Sequence, residues 1–385
     1  MKFRDKIFNE NVFEKYLRTL PSTKENALIK NGLFTVVNKY KSKMSEQAGG
    51  YFVTEPIKGR IGGTPVNYDG KTDISDGSER PTYLQTKICY GRAQSWGEYD
   101  FATEVTGENF MAEAQEVQEY WDEERQKTVL SILKGIFSMT GGVNGKFVDK
   151  HTYEIEDELQ ADDMNRASQK ALGDKKQKLD TMFTHSAVST NLEGLNLIQF
   201  LKYTDKDGIQ RDLTIGTYNG KLVIVDDDMP TAEGYVESTQ HVPGALKVVA
   251  SDPQDGEILL TDVQAASFYP STVAAGSYVI SATKYTTYAF KKGFFEYENL
   301  GVVTPVETVR DAKKNGGRTE MISRIREMIV PTLISYKDTT KISPENADFE
   351  KGANWELVND ANSTTSQRKY VDDKLIPVVR IISLG

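Results

Sequence analysis

The chain has 385 residues, 38% hydrophobic and 27% charged, with a formal net charge of −9 and one cysteine. This is length enough for two or three domains with a real core, and a composition too apolar for a disordered chain. The lone Cys89 excludes an intramolecular disulfide and a cysteine-based zinc site, and fits a reducing compartment; no apolar run approaches the roughly 20 residues of a membrane helix.

Residues 1–45 hold ten Lys/Arg against four Asp/Glu, so this segment carries about +6 and the remainder about −15. Its short amphipathic pieces are broken by Pro21 and Gly32, which predicts a basic arm on an acidic body. Such an arm could bind nucleic acid or lie on the acidic body of a neighbouring copy; the overall acidity disfavours nonspecific phosphate binding. Over 46–105, YFVTEP, TPVNYD and YLQTKICYGRAQSW alternate apolar and polar residues around the polar tip YDGKTDISDG. That pattern predicts a long β-hairpin projecting from the body. An isolated two-stranded ribbon is marginal in water, so the hairpin needs neighbours.

A long helix is predicted over 108–137. Phe110, Ala114, Val117, Trp121, Thr128, Ile132 and Ile136 recur in steps of three, four and seven, with acidic residues early and basic ones late. Gly141, Gly142 and Gly145 end it. A second, more charged helix is predicted over 162–180, then a strand or turn at MFTHSAVSTNL and an apolar helix over 195–203. From Leu213 the chain turns β-rich, with a β module over about 232–283. The stretch from Val303 to Tyr336 predicts two long strands joined by the polar loop RDAKKNGG, and LIPVVRIIS a closing strand.

Little of this chain looks like catalytic chemistry. The three histidines, His151, His185 and His241, show no metal-ligand spacing, and no HExxH, GxSxG, Walker or GxGxxG motif occurs. GRIGG sits between strands and reads as a flexible connection. His185 and Ser186 are adjacent; on a strand they would point to opposite faces. In GKLVIVDDDMP three contiguous aspartates, Asp226, Asp227 and Asp228, follow four apolar residues and precede Pro230. A calcium loop wants spaced ligands, so the first reading is a strand leaving through a turn, with a retained ion or a carboxylate cluster as rivals. No catalytic residue, cofactor or metal ligand is assigned, and the chain is expected not to be an enzyme.

The order of elements, together with QAGGYFVTEPI, NYDGKTDI, TGENFMAEAQEVQEYWDEERQKTVLSILKGIF, ALGDKKQKLDTMFTHSAV, GKLVIVDDDMP, YTTYAFKKGFF, VETVRDA, NADFEKGANWELV and IPVVRIIS, resembles the major capsid proteins of tailed phages, the HK97 fold. The likeness spans nearly the whole chain except about 232–283. It implies an α+β fold with an N-terminal arm (1–45) and an extended hairpin, the E-loop (46–105). A peripheral domain (106–194) would carry the spine helix, and an axial domain (195–284) the β insertion. Long strands of the peripheral domain (285–340) and a C-terminal segment returning to the axial domain (341–385) would complete it.

On that resemblance the chain self-assembles through pentamers and hexamers into an icosahedral shell enclosing double-stranded DNA without sequence-specific binding. It would be part of the virion, put together in the host cytoplasm with no membrane involved. Only about 45 residues precede the hairpin, too few for a cleaved scaffolding segment, so a separate scaffolding protein is implied, with a portal protein and a decoration protein as further partners. Candidate contacts between copies are Lys39, Lys41 and Lys43 of the arm; Lys71, Tyr83, Leu84 and Ile88 of the hairpin; and Lys313, Lys314 and Asn315 of the polar loop. Some shells of this fold are locked by a Lys–Asn bond, for which Lys71 and Asn315 are the residue types at hand; no pattern identifies the carboxylate such a bond needs, so noncovalent contact is expected. The rivals are an encapsulin-like nanocompartment shell and a metal-dependent hydrolase using the aspartates with His185.

Overall fold

Strand-forming stretches dominate the chain, and one long amphipathic helix interrupts them. The computed structural model describes residues 33–46, 51–71, 73, 80–99, 113–204, 210–313 and 317–385. The chain passes between two compact units, Met1–Val148 with Lys292–Ile376, and Asp149–Lys291 with Pro377–Gly385.

The first unit's described part opens with β1 (Phe34–Val36), α1 (Tyr40–Glu46), β2 (Phe52–Lys58), β3 (Thr82–Ile88), β4 (Tyr90–Tyr99) and α2 (Glu113–Ile136). α3 (Gly142–His151) carries the sequence into the second unit. There follow β5 (Thr152–Glu158), α4 (Asp163–Leu172), β6 (Thr181–Thr184), α5 (Ser186–Gly194), β7 (Ile198–Thr204), β8 (Gln210–Tyr218) and β9 (Lys221–Val225). After these come β10 (Thr231–Ser238), β11 (Leu246–Val249), β12 (Glu257–Leu259), α6 (Leu260–Ala265) and β13 (Tyr278–Phe290). The chain then returns to the first unit with β14 (Phe295–Asn299), β15 (Val306–Asp311), β16 (Arg318–Pro331), β17 (Ile334–Tyr336), α7 (Asn346–Phe349) and β18 (Trp355–Leu357). β19 (Val378–Leu384) closes the chain in the second unit.

In the first unit β16 is the axis. β4 runs antiparallel along it from Arg318 to Glu327, while β15 and β14 pair with it in succession and β1 adds in parallel to β14. α2 packs its apolar stripe onto this sheet: Val117 and Trp121 cluster with Val306 and Met321, and Trp121 Nε1 donates to Ser323 Oγ at 2.9 Å. The expected helix period holds, since Val117, Trp121, Thr128, Ile132 and Ile136 are all buried; Glu108 and Phe110 lie outside the described residues. Arg125 clamps α2 to the sheet by donating from Nε and Nη2 to the fully buried carboxylate of Glu327, at 2.7–3.0 Å. Gly135 lets the last turn touch α7 and β18: a Cβ there would sit 1.8 Å from the Phe349 carbonyl oxygen.

In the second unit the sheet runs β5–β19–β13–β6–β9–β8–β7. The first half of β13 extends beyond this run to pair with β10 and β11, and β11 pairs in parallel with β12. The main core gathers Met164, Ala167, Ala171 and Leu172 of α4, Val188 and Leu192 of α5, and Val379 and Ile381 of β19. The β module has its own small core of Val248, Val263, Val273 and Val279.

Several expected boundaries change. Residues 149–194 belong to the second unit rather than with the spine helix, and the return to that unit comes at Pro377, not near 341. TPVNYD is not a strand: β2 stops at Lys58, where Gly59, Gly62, Gly63 and Pro65 follow. The apolar helix expected over 195–203 is the strand β7; the helix is α5, one step earlier. α3 and β5 were not anticipated: GVNGKFVDKH has two glycines and a weak period.

Candidate assembly surfaces

Alternation divides the hairpin's side chains into two sets. Val53, Glu55 and Ile57 of β2 face Lys87, Gln85 and Tyr83 of β3 across one side; Thr54 and Pro56 face Thr86 and Leu84 across the other. The first set turns toward the chain's own body, because Gln85 and Lys87 are buried. Gln85 Nε2 donates to the Pro331 and Ile334 carbonyls, both at 3.0 Å, and the edge of β3 is bound where Leu84 N donates to the Asn359 carbonyl at 2.8 Å. The base of the hairpin is therefore buttressed by its own unit rather than projecting unsupported. The second set is the more open one, with Phe52 39% and Leu84 36% exposed.

Tyr83 and Leu84 consequently point opposite ways, and Ile88, at 4% exposure, is already buried in its own chain. Of the three, Leu84 remains the best candidate for burial against a neighbour. Lys71 is exposed at the far end, where its backbone N–H donates to Asp69 Oδ1 at 2.8 Å. Lys313 lies exposed after β15, its N–H donating to Asp311 Oδ1 at 2.9 Å. Lys314 and Asn315 lie outside the described residues.

The described part of the arm, 33–46, is seated on the chain's own first unit. Leu33 and Phe34 are buried and β1 pairs with β14. Glu298, itself buried, caps α1: its Oε2 accepts from the backbone N–H of Lys39 at 3.1 Å and Tyr40 at 2.8 Å, and its Oε1 from that of Lys41 at 2.8 Å. Lys39 Nζ lies 3.6 Å from Glu296 and 3.9 Å from Glu55 of the same chain, so its charge is engaged at home. Lys41 is exposed, and Lys43 lies in α1. Residues 1–32 lie outside the described residues.

Where hairpin, arm and body meet, a buried ammonium is the hub. Lys87 Nζ donates to Glu55 Oε2 at 3.0 Å, to Glu296 Oε2 at 2.9 Å and to the Tyr40 hydroxyl. That hydroxyl lies 2.8 Å from Glu296 Oε2 and 3.1 Å from Glu55 Oε2. Burial pushes the Glu296 carboxyl up, but the bonds from Lys87 and Tyr40 outweigh it and leave the group below its ordinary range. Burial and the Glu296 carboxylate together raise the Tyr40 phenol. The sequence reading missed this cluster. The available signal was a charge in each of two alternating strands, Glu55 in YFVTEP and Lys87 in YLQTKI, on the same side as Val53 and Ile57.

The aspartates follow β9 in a turn, as the first reading of GKLVIVDDDMP expects. Asp226 Oδ1 accepts from the Asp228 N–H at 2.9 Å. Asp227 Oδ1 lies 3.8 Å from His185 Nε2, and a hydrogen bond from the Ser186 hydroxyl holds its carboxyl below the usual range. His185 and Ser186 are not on a strand, as expected, but at the start of α5. His185 Nδ1 caps that helix by accepting the Ala187 N–H at 3.1 Å, and the Ser186 hydroxyl lies 3.5 Å from the same nitrogen.

The chain is 26% identical over 272 residues to the major capsid protein of Bacillus phage SPP1, covering 70% of this chain and 67% of that one. Its fold matches the capsid asymmetric unit of cyanophage Pam1 across 100% of this chain and 98% of that one, with a TM-score of 0.50 at 10% identity. The chain has the HK97-like fold of phage capsid subunits and is similar in sequence to a phage major capsid protein. No family model matches the chain. The capsid of Ralstonia phage GP4 is a more distant likeness, with a TM-score of 0.48 at 11% identity over 94% of this chain and 91% of that one.

Proposed function

We propose that this chain is a phage major capsid protein that closes, through pentamers and hexamers, into an icosahedral shell around double-stranded DNA, and that it does so without catalysing a reaction. The observation that carries the reading is the similarity to the SPP1 major capsid protein over 70% of the chain. The chemistry supports it: an acidic protein, net −9, makes a wall that does not grip the phosphates it encloses. Contacts between copies run through the open side of the hairpin with Leu84, through Lys71, and through the loop of Lys313, Lys314 and Asn315. A separate scaffolding protein, a portal protein and a decoration protein are the partners expected of such a shell, assembled in the cytoplasm of the bacterial host.

Electron microscopy of the purified chain, alone and with a scaffolding protein, tests this. Closed shells built of five- and six-fold rings support it; a protein that stays monomeric under both conditions overturns it. Nucleic acid in particles from infected cells separates a virion shell from a nanocompartment, which would hold protein instead.

A further inference from the structure

We propose that the Lys87 hub is a latch that ties the arm segment 33–46 and the hairpin β2–β3 into one setting on the body, so that the two elements release together or not at all. The three donors of the Lys87 ammonium meet acceptors from three separate pieces of chain: Tyr40 of α1, Glu55 of β2 and Glu296 of β14. None of these contacts is local, the partners lying 47, 32 and 209 residues away in sequence. Lys39 adds a second cation beside the same two carboxylates, so two positive and two negative charges stand together, Lys87 with 4% of its side chain exposed.

An apolar contact would hold these pieces as well, and one lies alongside: Tyr40, Met44, Cys89, Met328 and Val330 form a buried cluster, with Val37, Tyr51 and Val53 packed against it. Apolar burial is non-directional, so it tolerates sliding of one element over another. An ammonium with three fixed acceptors does not, because each hydrogen bond weakens steeply off its direction. A buried ionic group often adds little stability over an apolar one and can instead select a single geometry. The latch also makes release cooperative. Withdrawing α1 takes away Lys39 and the Tyr40 hydroxyl and leaves two carboxylates against one cation. Withdrawing β2 takes away Glu55 and leaves the Lys87 ammonium short of an acceptor. Each departure weakens the hold on what remains.

Hydrogen exchange by mass spectrometry on the full chain tests this, and the readout does not depend on shell formation, so its failure is distinguishable from failure of the shell reading. Tyr40→Phe removes one oxygen and keeps the ring. The expected result is about tenfold faster exchange in residues 34–46 and also in 52–58 and 82–88, with α2 and the second unit unchanged. Faster exchange in 34–46 alone, or in neither, would show that arm and hairpin open independently and overturns the proposal. A second variant, Lys87→Met with Glu55→Gln and Glu296→Gln, removes the buried ammonium and both carboxylate charges together and leaves only the half-exposed Lys39. It is expected to melt close to the parent while both segments lose protection; unchanged protection in both overturns the latch. Should this variant fail to fold, the Tyr40→Phe comparison decides alone.

Discussion

Replacing Gly135 by alanine sets two effects of opposite sign against each other. Gly135 is in the last turn of α2, and alanine in a helix interior is favoured over glycine by about 0.8–1 kcal/mol. The new Cβ, however, would lie 1.8 Å from the Phe349 carbonyl oxygen and 2.5 Å from Trp355 Nε1. An ordinary carbon–oxygen contact is about 3.3–3.6 Å, so α2 and α7 must part by about 1.5 Å. Parting strains the 2.6 Å bond that Trp355 Nε1 donates to the same carbonyl, and a buried polar group left unpaired costs about 1–3 kcal/mol. Overpacking adds about 1–3 kcal/mol. The clash wins, and a net loss of about 1–5 kcal/mol is expected. Gly145→Ala in α3 is the control, since its Cβ meets nothing nearer than 3.7 Å and should gain up to about 1 kcal/mol. The chain's three tryptophans, Trp96, Trp121 and Trp355, all belong to the first unit, so their fluorescence during urea unfolding reports that unit. A Gly135→Ala protein as stable as the Gly145→Ala protein would refute the close seating of α2 on α7.

Arg125→Met strands the fully buried Glu327 carboxylate with the Tyr297 and Tyr90 hydroxyls, at 2.9 and 3.3 Å, as its side-chain partners among the described residues. A loss of about 3–5 kcal/mol is expected, most of it recovered by adding Glu327→Leu; urea curves showing the double variant no better than the single would contradict this. Asp348 accepts from Lys341 and Lys351, and those bonds hold its carboxyl far below the ordinary range. A depressed carboxyl stabilises the fold above the unfolded value of about 4 and loses that contribution as pH falls toward the folded value. Melting temperature should therefore drop less between pH 5 and pH 2 in Asp348→Asn than in the parent; parallel curves would remove Asp348 from the acid response. With contacts between copies noncovalent, boiled particles should run on a denaturing gel as one band near the chain mass of 43.1 kDa. A reductant-resistant ladder would make Lys71 and Asn315 the first residues to mutate.

The elements most legible in the sequence are those whose side chains repeat on one face. α2 announces itself because Val117, Trp121, Thr128, Ile132 and Ile136 keep helical spacing and all meet the core. β15 and β16 are equally plain, two alternating runs around a polar loop, and their pairing follows from it. Residues 198–204 show the limit: IQFLKYT is a short apolar run, and periodicity does not separate a buried strand from a helix at that length. The crossing at Pro377 left no local mark, because it is set by β19 joining β13 and β5 from distant parts of the chain. The Lys87 hub was hidden for the same reason. A lysine in an alternating strand is read as exposed, and only the fold brings Tyr40 and Glu296 to it. Glu298 likewise gives no sign in FFEYEN that it will cap a helix more than 250 residues earlier.

Cryo-electron microscopy of particles formed by the full chain tests the central claim most directly. Closed icosahedral shells of pentamers and hexamers are expected, with each hairpin's Leu84 side covered by the neighbouring subunit and Lys87 still bonded to Tyr40, Glu55 and Glu296 of its own chain. Particles without such rings, or shells in which the hairpin contacts only its own subunit, would contradict it.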